Sequence, residues 1–261
     1  MHIETLHLPA AGPAKGTVVL LHGVCFGAWY WEDNFLPWLA ARGYHAVALS
    51  YRNHGNSAAR GALRWRRIRE YLADVHAVVQ QHQGPIYLVG HSMGGNLVQR
   101  YLRWHPDPRI RKAVLLCTVP DRGIAGATWQ VLRRYPLAFL QALATLSFVP
   151  VFNNRERASR LLFGPATPDQ RMQDVIARMQ DESFRAYLDL FLPLSSRQQP
   201  NGVPLLLIGG QADALITPAS LQQSARRLQA PLVFFPGGHN LNLEPGWEAV
   251  AQRVVAFFEA E

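Results

Sequence analysis

The sequence predicts an α/β fold: a mostly parallel sheet flanked by helices, with a helical lid inserted between the strand ending near Thr118 and the strand starting near Val203. Three observations predict it. Short β-branched and leucine-rich runs alternate with patterns of helical period, as parallel strands joined by crossover helices require. A chain of 261 residues, 49% apolar and 17% charged, suits one large domain with a substantial core. The stretch from Thr118 to Val203 is longer than one crossover helix needs and too long for a bare loop.

The elements follow in order. Residues 2–8 alternate apolar and polar like a strand, and are expected to pair antiparallel at one edge through the turn near Pro13-Ala14-Lys15-Gly16. This start lacks the basic then apolar layout of a secretion signal, so a cytoplasmic address is expected. The runs Thr17–His22, His45–Ser50, Pro85–Gly90, Lys112–Thr118, Val203–Ile208 and Pro231–Phe235 read as strands. Asn34–Ala41, Arg66–Gln81, Asn96–His105, Pro218–Leu228 and Gly246–Glu261 read as helices. In the long stretch, Trp129, Leu137, Phe139, Leu140, Leu143 and Phe152 belong to a strongly apolar first half, and Met172, Val175, Ile176 and Met179 follow at helical spacing. These side chains are expected to form the lid's core and, together, a greasy cavity over the sheet. The chain thus divides into a core, 1–118 and 203–261, and a lid, 119–202.

Composition excludes some functions and weakens others. No apolar run approaches the roughly 20 residues of a membrane span, which leaves peripheral membrane contact as the only kind expected. Cys25 and Cys117 belong to no metal or redox spacing and read as reduced, structural thiols. The formal charge is +8, and arginine supplies nearly all of the basic residues. Its densest run, Arg60 to Arg69, suits nucleic acid or an anionic surface, but such a run is a weak motif and no recognition module accompanies it. A solvated loop and helix start is the preferred reading. No metal constellation, phosphate-cradling loop or dinucleotide fingerprint is visible, so no cofactor and no metal are expected.

Chemistry concentrates at the ends of the strand runs. Gly90-His91-Ser92-Met93-Gly94-Gly95 follows the apolar run Pro85–Val89 and precedes the helical pattern from Asn96. This strand, sharp turn and helix with a serine at the apex is a nucleophile elbow, whose glycines let strand and helix pass without collision. A serine hydroxyl needs a base to take its proton and a third group to orient that base. After the strand run Val203–Ile208 comes Gly210-Gln211-Ala212-Asp213, and after Leu232–Phe235 comes Pro236-Gly237-Gly238-His239. Each places its residue on a loop leaving a strand's C-terminal end, in the chain order Ser, Asp, His. In Leu20-Leu21-His22-Gly23-Val24-Cys25, Gly23 lets the backbone turn so that the Val24 amide faces a reacting carbonyl oxygen, with the Met93 amide as second donor. His22 is expected to brace that loop. The other histidines suit the base less well: His91 is the variable residue of the elbow, His2 and His7 lie at the sheet edge, His45, His76, His82 and His105 fall on or beside surface elements, and His54 is in a loop.

These motifs resemble those of the α/β-hydrolase superfamily over nearly the whole chain. The run His22 to Trp31 resembles the plant hydroxynitrile lyase and methylesterase branch, and the elbow resembles monoacylglycerol lipases and many bacterial esterases. The resemblance implies Ser92 as nucleophile, His239 as general base then acid, Asp213 as its orienter, and the amides of Val24 and Met93 as the oxyanion hole. Asp121, an acid position in some members, is the alternative to Asp213, which is preferred for its turn and strand-end placement. Ser50 to Ser57 matches the family's Asp-x-x-Gly-His-Gly-x-Ser loop imperfectly, with Ser50 where Asp is usual and Asn53 where Gly is usual, so no function is transferred to it.

The expected activity is cofactor-independent hydrolysis of a small lipophilic carboxylic ester through an acyl-enzyme. Thioesters and lactones share that chemistry. A hydroxynitrile-lyase-like or carbon-carbon bond hydrolase would instead need a polar group in the lid aimed at the substrate, for which Arg122, Arg133 and Arg134 are candidates. A ligand receptor with little turnover is the reading from another class. Serine at the elbow argues against haloalkane dehalogenases and ordinary epoxide hydrolases, which carry Asp there. Acyl-chain preference and oligomeric state stay open.

Overall fold

The computed structural model describes residues 2–194 and 202–260. Met1, residues 195–201 of the anticipated lid and Glu261 lie outside the described residues. Seven strands form one sheet: β1 (Thr5–Leu8), β2 (Gly16–Leu21), β3 (Tyr44–Leu49), β4 (Ile86–His91), β5 (Ile110–Leu116), β6 (Leu205–Gly210) and β7 (Leu232–Phe235). Their order across the sheet is β1-β3-β2-β4-β5-β6-β7, with every neighbouring pair parallel except β1 with β3. All six strand runs from Thr17 onward are therefore present.

The first strand does take an antiparallel edge position, but its partner is β3 rather than the sequence-adjacent β2. The physical reason lies in β2. It is buried along its whole length and paired on both sides, Thr17 standing opposite both His45 and Ile86, so it has no edge to offer. The mostly exposed β1 caps the remaining edge. The turn itself is tied to the chain entering β3, through Lys15 N–H donating to the Gly43 carbonyl at 2.7 Å.

Alternation along the strands splits the core. Val18, Leu20, Ala46, Ala48, Leu206 and Ile208 pack with α1 (Phe35–Ala40) and α11 (Trp247–Glu259). Their neighbours Val19, Leu21, Val47, Leu49, Leu205 and Leu207 pack with α2 (Ile68–Val79), α3 (Met93–Trp104) and α10 (Pro218–Leu228). Each fully buried leucine or valine contributes about 1.5–3 kcal/mol of transfer free energy, so both sheet faces hold the helices firmly. The third helix begins at Met93, directly after the elbow serine, rather than at Asn96 as its apolar pattern alone suggests.

Among the described residues six helices, α4 (Ala125–Arg134), α5 (Pro136–Thr145), α6 (Val149–Phe152), α7 (Arg155–Leu162), α8 (Asp169–Arg178) and α9 (Phe184–Asp189), lie between β5 and β6. Part of the expected core of this insertion is turned outward: α5 buries Ala138 and Ala142, leaving Leu137, Leu140 and Leu143 exposed, and Trp129 of α4 is exposed as well. α5 has no charged residue to mark its outer side, and its small alanines permit close approach of the backbone, which turns the leucines away. Among the described residues no helix is long and apolar enough to cross a membrane.

Candidate active site

Ser92 sits between β4 and α3 with φ 54° and ψ −115°, a conformation that side chains with a Cβ rarely adopt. Such a residue costs on the order of 1–3 kcal/mol and persists only where its surroundings impose it. Here they do. The Ser92 amide donates to the Leu116 carbonyl at 2.9 Å, and its own carbonyl accepts from Val119 at 3.0 Å and Gly95 at 3.1 Å. A Cβ on Gly90 would strike the Gly94 carbonyl, and one on Gly94 the Leu21 carbonyl, so neither position tolerates a side chain.

The structure brings the three predicted side chains into one line. Ser92 Oγ lies 3.0 Å from His239 Nε2, and His239 Nδ1 lies 2.8 Å from Asp213 Oδ2. All three are buried. Asp213 Oδ1 accepts the amides of Leu215 at 2.9 Å and Ile216 at 2.8 Å, which fixes the carboxylate on its loop. A carboxylate oxygen accepts, so Nδ1 carries the imidazole proton and Nε2 is left to accept from the serine hydroxyl. Asp121 goes elsewhere: it accepts from Arg227 Nε at 2.6 Å and Ser224 Oγ at 3.1 Å.

Val24 and Ser92 line the same pocket. The turn from His22 runs so close that a Cβ on Gly23 would be 2.8 Å from His91 Nδ1 and 3.0 Å from Ser92 Cβ. Met93 is the first residue of α3, where helix amides lack intrahelical acceptors and carry partial positive charge. His22 braces the turn as expected: Nδ1 donates to the Gly23 carbonyl at 2.7 Å, and Nε2 accepts from the Tyr51 amide at 3.3 Å. Burial, reinforced by the charge of His54, holds the His22 imidazole well below its ordinary pKa. Ser50 has a structural role, accepting the Ala28 amide at 2.8 Å.

Three residues escaped sequence reasoning. Glu182, just before α9, is buried and accepts from Cys25 N–H, His54 and Tyr71. Glu244 is buried and accepts from the amides of Gly164, Gly238 and Asn240 and from the Thr167 hydroxyl, tying the His239 loop to the helical insertion. His91 donates to the His239 carbonyl. In the sequence, Gln180-Asp181-Glu182-Ser183 reads as a solvated turn, and no spacing marks either glutamate as interior.

Above Ser92 and His239 lies a narrow apolar pocket with a cavity volume of about 70 Å³. Its walls include Val119, Ile124, Val131, Phe139, Phe152 and Leu215. The other polar side chains in the wall, Thr128 and Tyr187, satisfy each other through hydroxyls 2.6 Å apart. Arg122, Arg133 and Arg134 do not line it; Arg134 instead reaches Gln130 and the Ala214 carbonyl on the surface. The basic run is partly absorbed into ion pairs, Arg66 with Glu70 at 3.0 Å and Arg67 with Asp189 at 3.1 Å.

Cys25 and Cys117 are buried free thiols, and burial raises the pKa of each well above the ordinary range. Cys117, Asp213 and His239 present ligand atoms within 4.8 Å of one another. That set fits a cation poorly: the carboxylate and imidazole already bind each other, and a protonated thiol is a weak ligand.

A mostly parallel seven-stranded sheet with a serine at the β4–α3 turn and an acid and a histidine beyond β6 and β7 defines an α/β hydrolase. The sequence model of the Alpha/beta hydrolase family matches residues 18–253, and the chain belongs to that family. Among its relatives, a non-heme haloperoxidase from Rhodococcus erythropolis is 38% identical over 105 residues, covering 40% of this chain and 37% of the relative. Epoxide hydrolase B from Mycobacterium tuberculosis is 31% identical over 110 residues, covering 42% and 31%. The matches thus span about a third of the length of these curated relatives. The solved structure of an esterase from Exiguobacterium antarcticum superposes with a TM-score of 0.75 over 99% of this chain and 96% of that one, at 18% identity, a likeness of fold.

Proposed function

We propose that this α/β hydrolase cleaves neutral, lipophilic carboxylic esters through an acyl-enzyme on Ser92. The hydrogen-bonded line from Asp213 through His239 to Ser92, at the floor of an apolar pocket, is the observation that carries this reading. His239 Nε2 takes the hydroxyl proton as Ser92 Oγ attacks the carbonyl carbon. The oxyanion that forms is stabilised by the amides of Val24 and Met93, an effect worth about 3–4 kcal/mol per donor in a buried site. The intermediate then collapses, His239 returning the proton to the departing alkoxide. Water enters, gives its proton to His239 and releases the carboxylic acid. Asp213 keeps the imidazole in the working tautomer and stabilises its charged form.

Residues 119–202 act as the lid, whose described part supplies most of the pocket wall. Among the described residues no Asp, Glu, Lys or Arg side chain lines the pocket, which favours a neutral acyl or alcohol part and disfavours the carbon-carbon reading. Thioesters and lactones fit the same steps. Serine in place of the elbow aspartate disfavours epoxide opening. The two buried free thiols suit a reducing compartment and support a cytoplasmic address.

The test is hydrolysis of p-nitrophenyl esters from acetate to palmitate by the wild type and Ser92→Ala side by side. Serine-dependent turnover with an optimum beyond acetate is expected. Comparable turnover by the variant would refute the assignment, and inactivity of well-folded wild type on every ester would favour a receptor.

A second reading has one observation in its favour, the likeness to a haloperoxidase. Hydrogen peroxide replacing water at the acyl-enzyme would release a peracid and restore Ser92. Peracid production from ester and peroxide, absent in Ser92→Ala, distinguishes it.

A further inference from the structure

The turn that carries Val24 is held from outside the sheet. Cys25, the next residue, has φ 66°, an unfavourable conformation for a residue with a Cβ. Both of its backbone groups are bound by the chain segment between α8 and α9: its amide donates to Glu182 Oε2 at 3.3 Å and its carbonyl accepts from the Gln180 amide at 3.0 Å. Glu182 is fully engaged. Its Oε2 also accepts from His54 Nε2 at 3.1 Å, while Oε1 accepts from the Tyr71 hydroxyl at 2.8 Å and the Ser183 amide at 2.7 Å. His54 Nδ1 faces the Arg52 carbonyl at 3.3 Å. An acceptor at each nitrogen favours the protonated form of His54, in which its bond to Glu182 is a buried ion pair. Gln180 extends the clamp, its side chain binding the Gly55 amide at 2.7 Å and the Asn53 carbonyl at 3.0 Å.

We propose that Glu182, backed by His54, is a positioning residue for the reaction: by holding the Cys25 peptide in its strained turn it aims the Val24 amide at the oxyanion. The inference rests on the ester-hydrolase reading above. It makes the helical insertion a working part of the oxyanion hole as well as a cover. Loss of the carboxylate leaves the pocket walls on α4, α5 and α6 in place, so substrate binding is preserved while transition-state stabilisation falls.

The experiment compares Glu182→Gln, His54→Gln and the exposed-site control Glu156→Gln with the wild type. It reads kcat and KM on the best p-nitrophenyl ester, together with amide hydrogen exchange of the peptide covering residues 23–28. Glu182→Gln is expected to lower kcat by about 10–100-fold, short of the full loss of a donor, with KM changed by less than about threefold. Exchange across 23–28 should rise by about tenfold while β4 stays protected. His54→Gln, the milder change should Glu182→Gln not fold, is expected to move both readouts the same way by a smaller factor. Glu156→Gln should move neither. A kcat within about twofold of wild type, or loop exchange unchanged, overturns the proposal. So does a loss of activity matched by faster exchange throughout the sheet, which would mark Glu182 as merely structural. If the wild type hydrolyses no ester, the ester reading falls; the exchange data then judge the clamp, and unchanged exchange across 23–28 removes it too.

Discussion

His91 donates from Nε2 to the carbonyl of His239 across 2.9 Å, so the residue preceding Ser92 holds the backbone of the histidine that Ser92 meets. Its ring stacks on Tyr30 at 4.6 Å, and the Tyr30 hydroxyl reaches Asn240 Oδ1 at 3.1 Å. Elbow and histidine loop are thereby joined behind the reacting atoms. Burial, then the nearby His239, keeps the His91 imidazole well below its ordinary pKa, as burial does for His22.

Acid should therefore destabilise the fold earlier than carboxylate protonation requires. Below the ordinary histidine value of 6.5 the unfolded chain binds protons that native His22 and His91 do not, so stability falls as pH drops through that value. Each site contributes up to about a tenfold change in the folding constant per pH unit. His54 opposes this: burial works against its charge but Glu182 raises its pKa, so its contribution is present below 6.5 and lost as pH rises through the raised value. Thermal unfolding between about pH 7.5 and 5.5 should show a falling midpoint, with a shallower slope in His91→Gln. Equal slopes would mean that His91 does not couple to folding.

Asp213→Asn should retain the fold and lose about 3–4 decades of kcat, because the amide favours the imidazole tautomer that cannot accept from Ser92. Steady-state kinetics with a parallel melt decide it. A loss below tenfold would assign the orienting role elsewhere.

Glu244→Ala strands buried donors at Gly164, Gly238 and Asn240 at once. Denaturant titration should record a loss of about 3 kcal/mol, the cost of leaving several buried partners unsatisfied. A change below about 0.5 kcal/mol, the range of ordinary surface substitutions, would show that water satisfies these groups.

Phe139 lines the pocket from α5. Phe139→Ala should move the ester chain-length optimum longer by about two carbons and raise the preference for the longer ester roughly tenfold, consistent with about 0.8 kcal/mol per buried methylene. An unchanged profile would place the acyl chain against another wall.

The strands and the meeting of Ser92, His239 and Asp213 were legible for a shared reason: both depend on local order in the chain. Short β-branched and leucine-rich runs marked β2 to β7, of which β2 and β6 are buried throughout, and Ser92, Asp213 and His239 each lie within a few residues of a strand's end, where loops at the C-terminal ends of parallel strands converge. What depends on distant partners was not legible. The partner of β1 is decided by β2 having no free edge, and Glu182, Glu244 and His91 find hydrogen-bond partners 157, 80 and 148 residues away. The outward leucines of α5 look identical in sequence to buried ones, because that helix has no charged residue to mark its outer side.

The most direct measurement is peptide mass spectrometry of enzyme quenched in acid during turnover of the preferred p-nitrophenyl ester. An acyl group on the peptide carrying Ser92, lost after substrate is exhausted and absent in Ser92→Ala, is the predicted result. Turnover with acyl mass on another residue, or turnover surviving in Ser92→Ala, would contradict the mechanism.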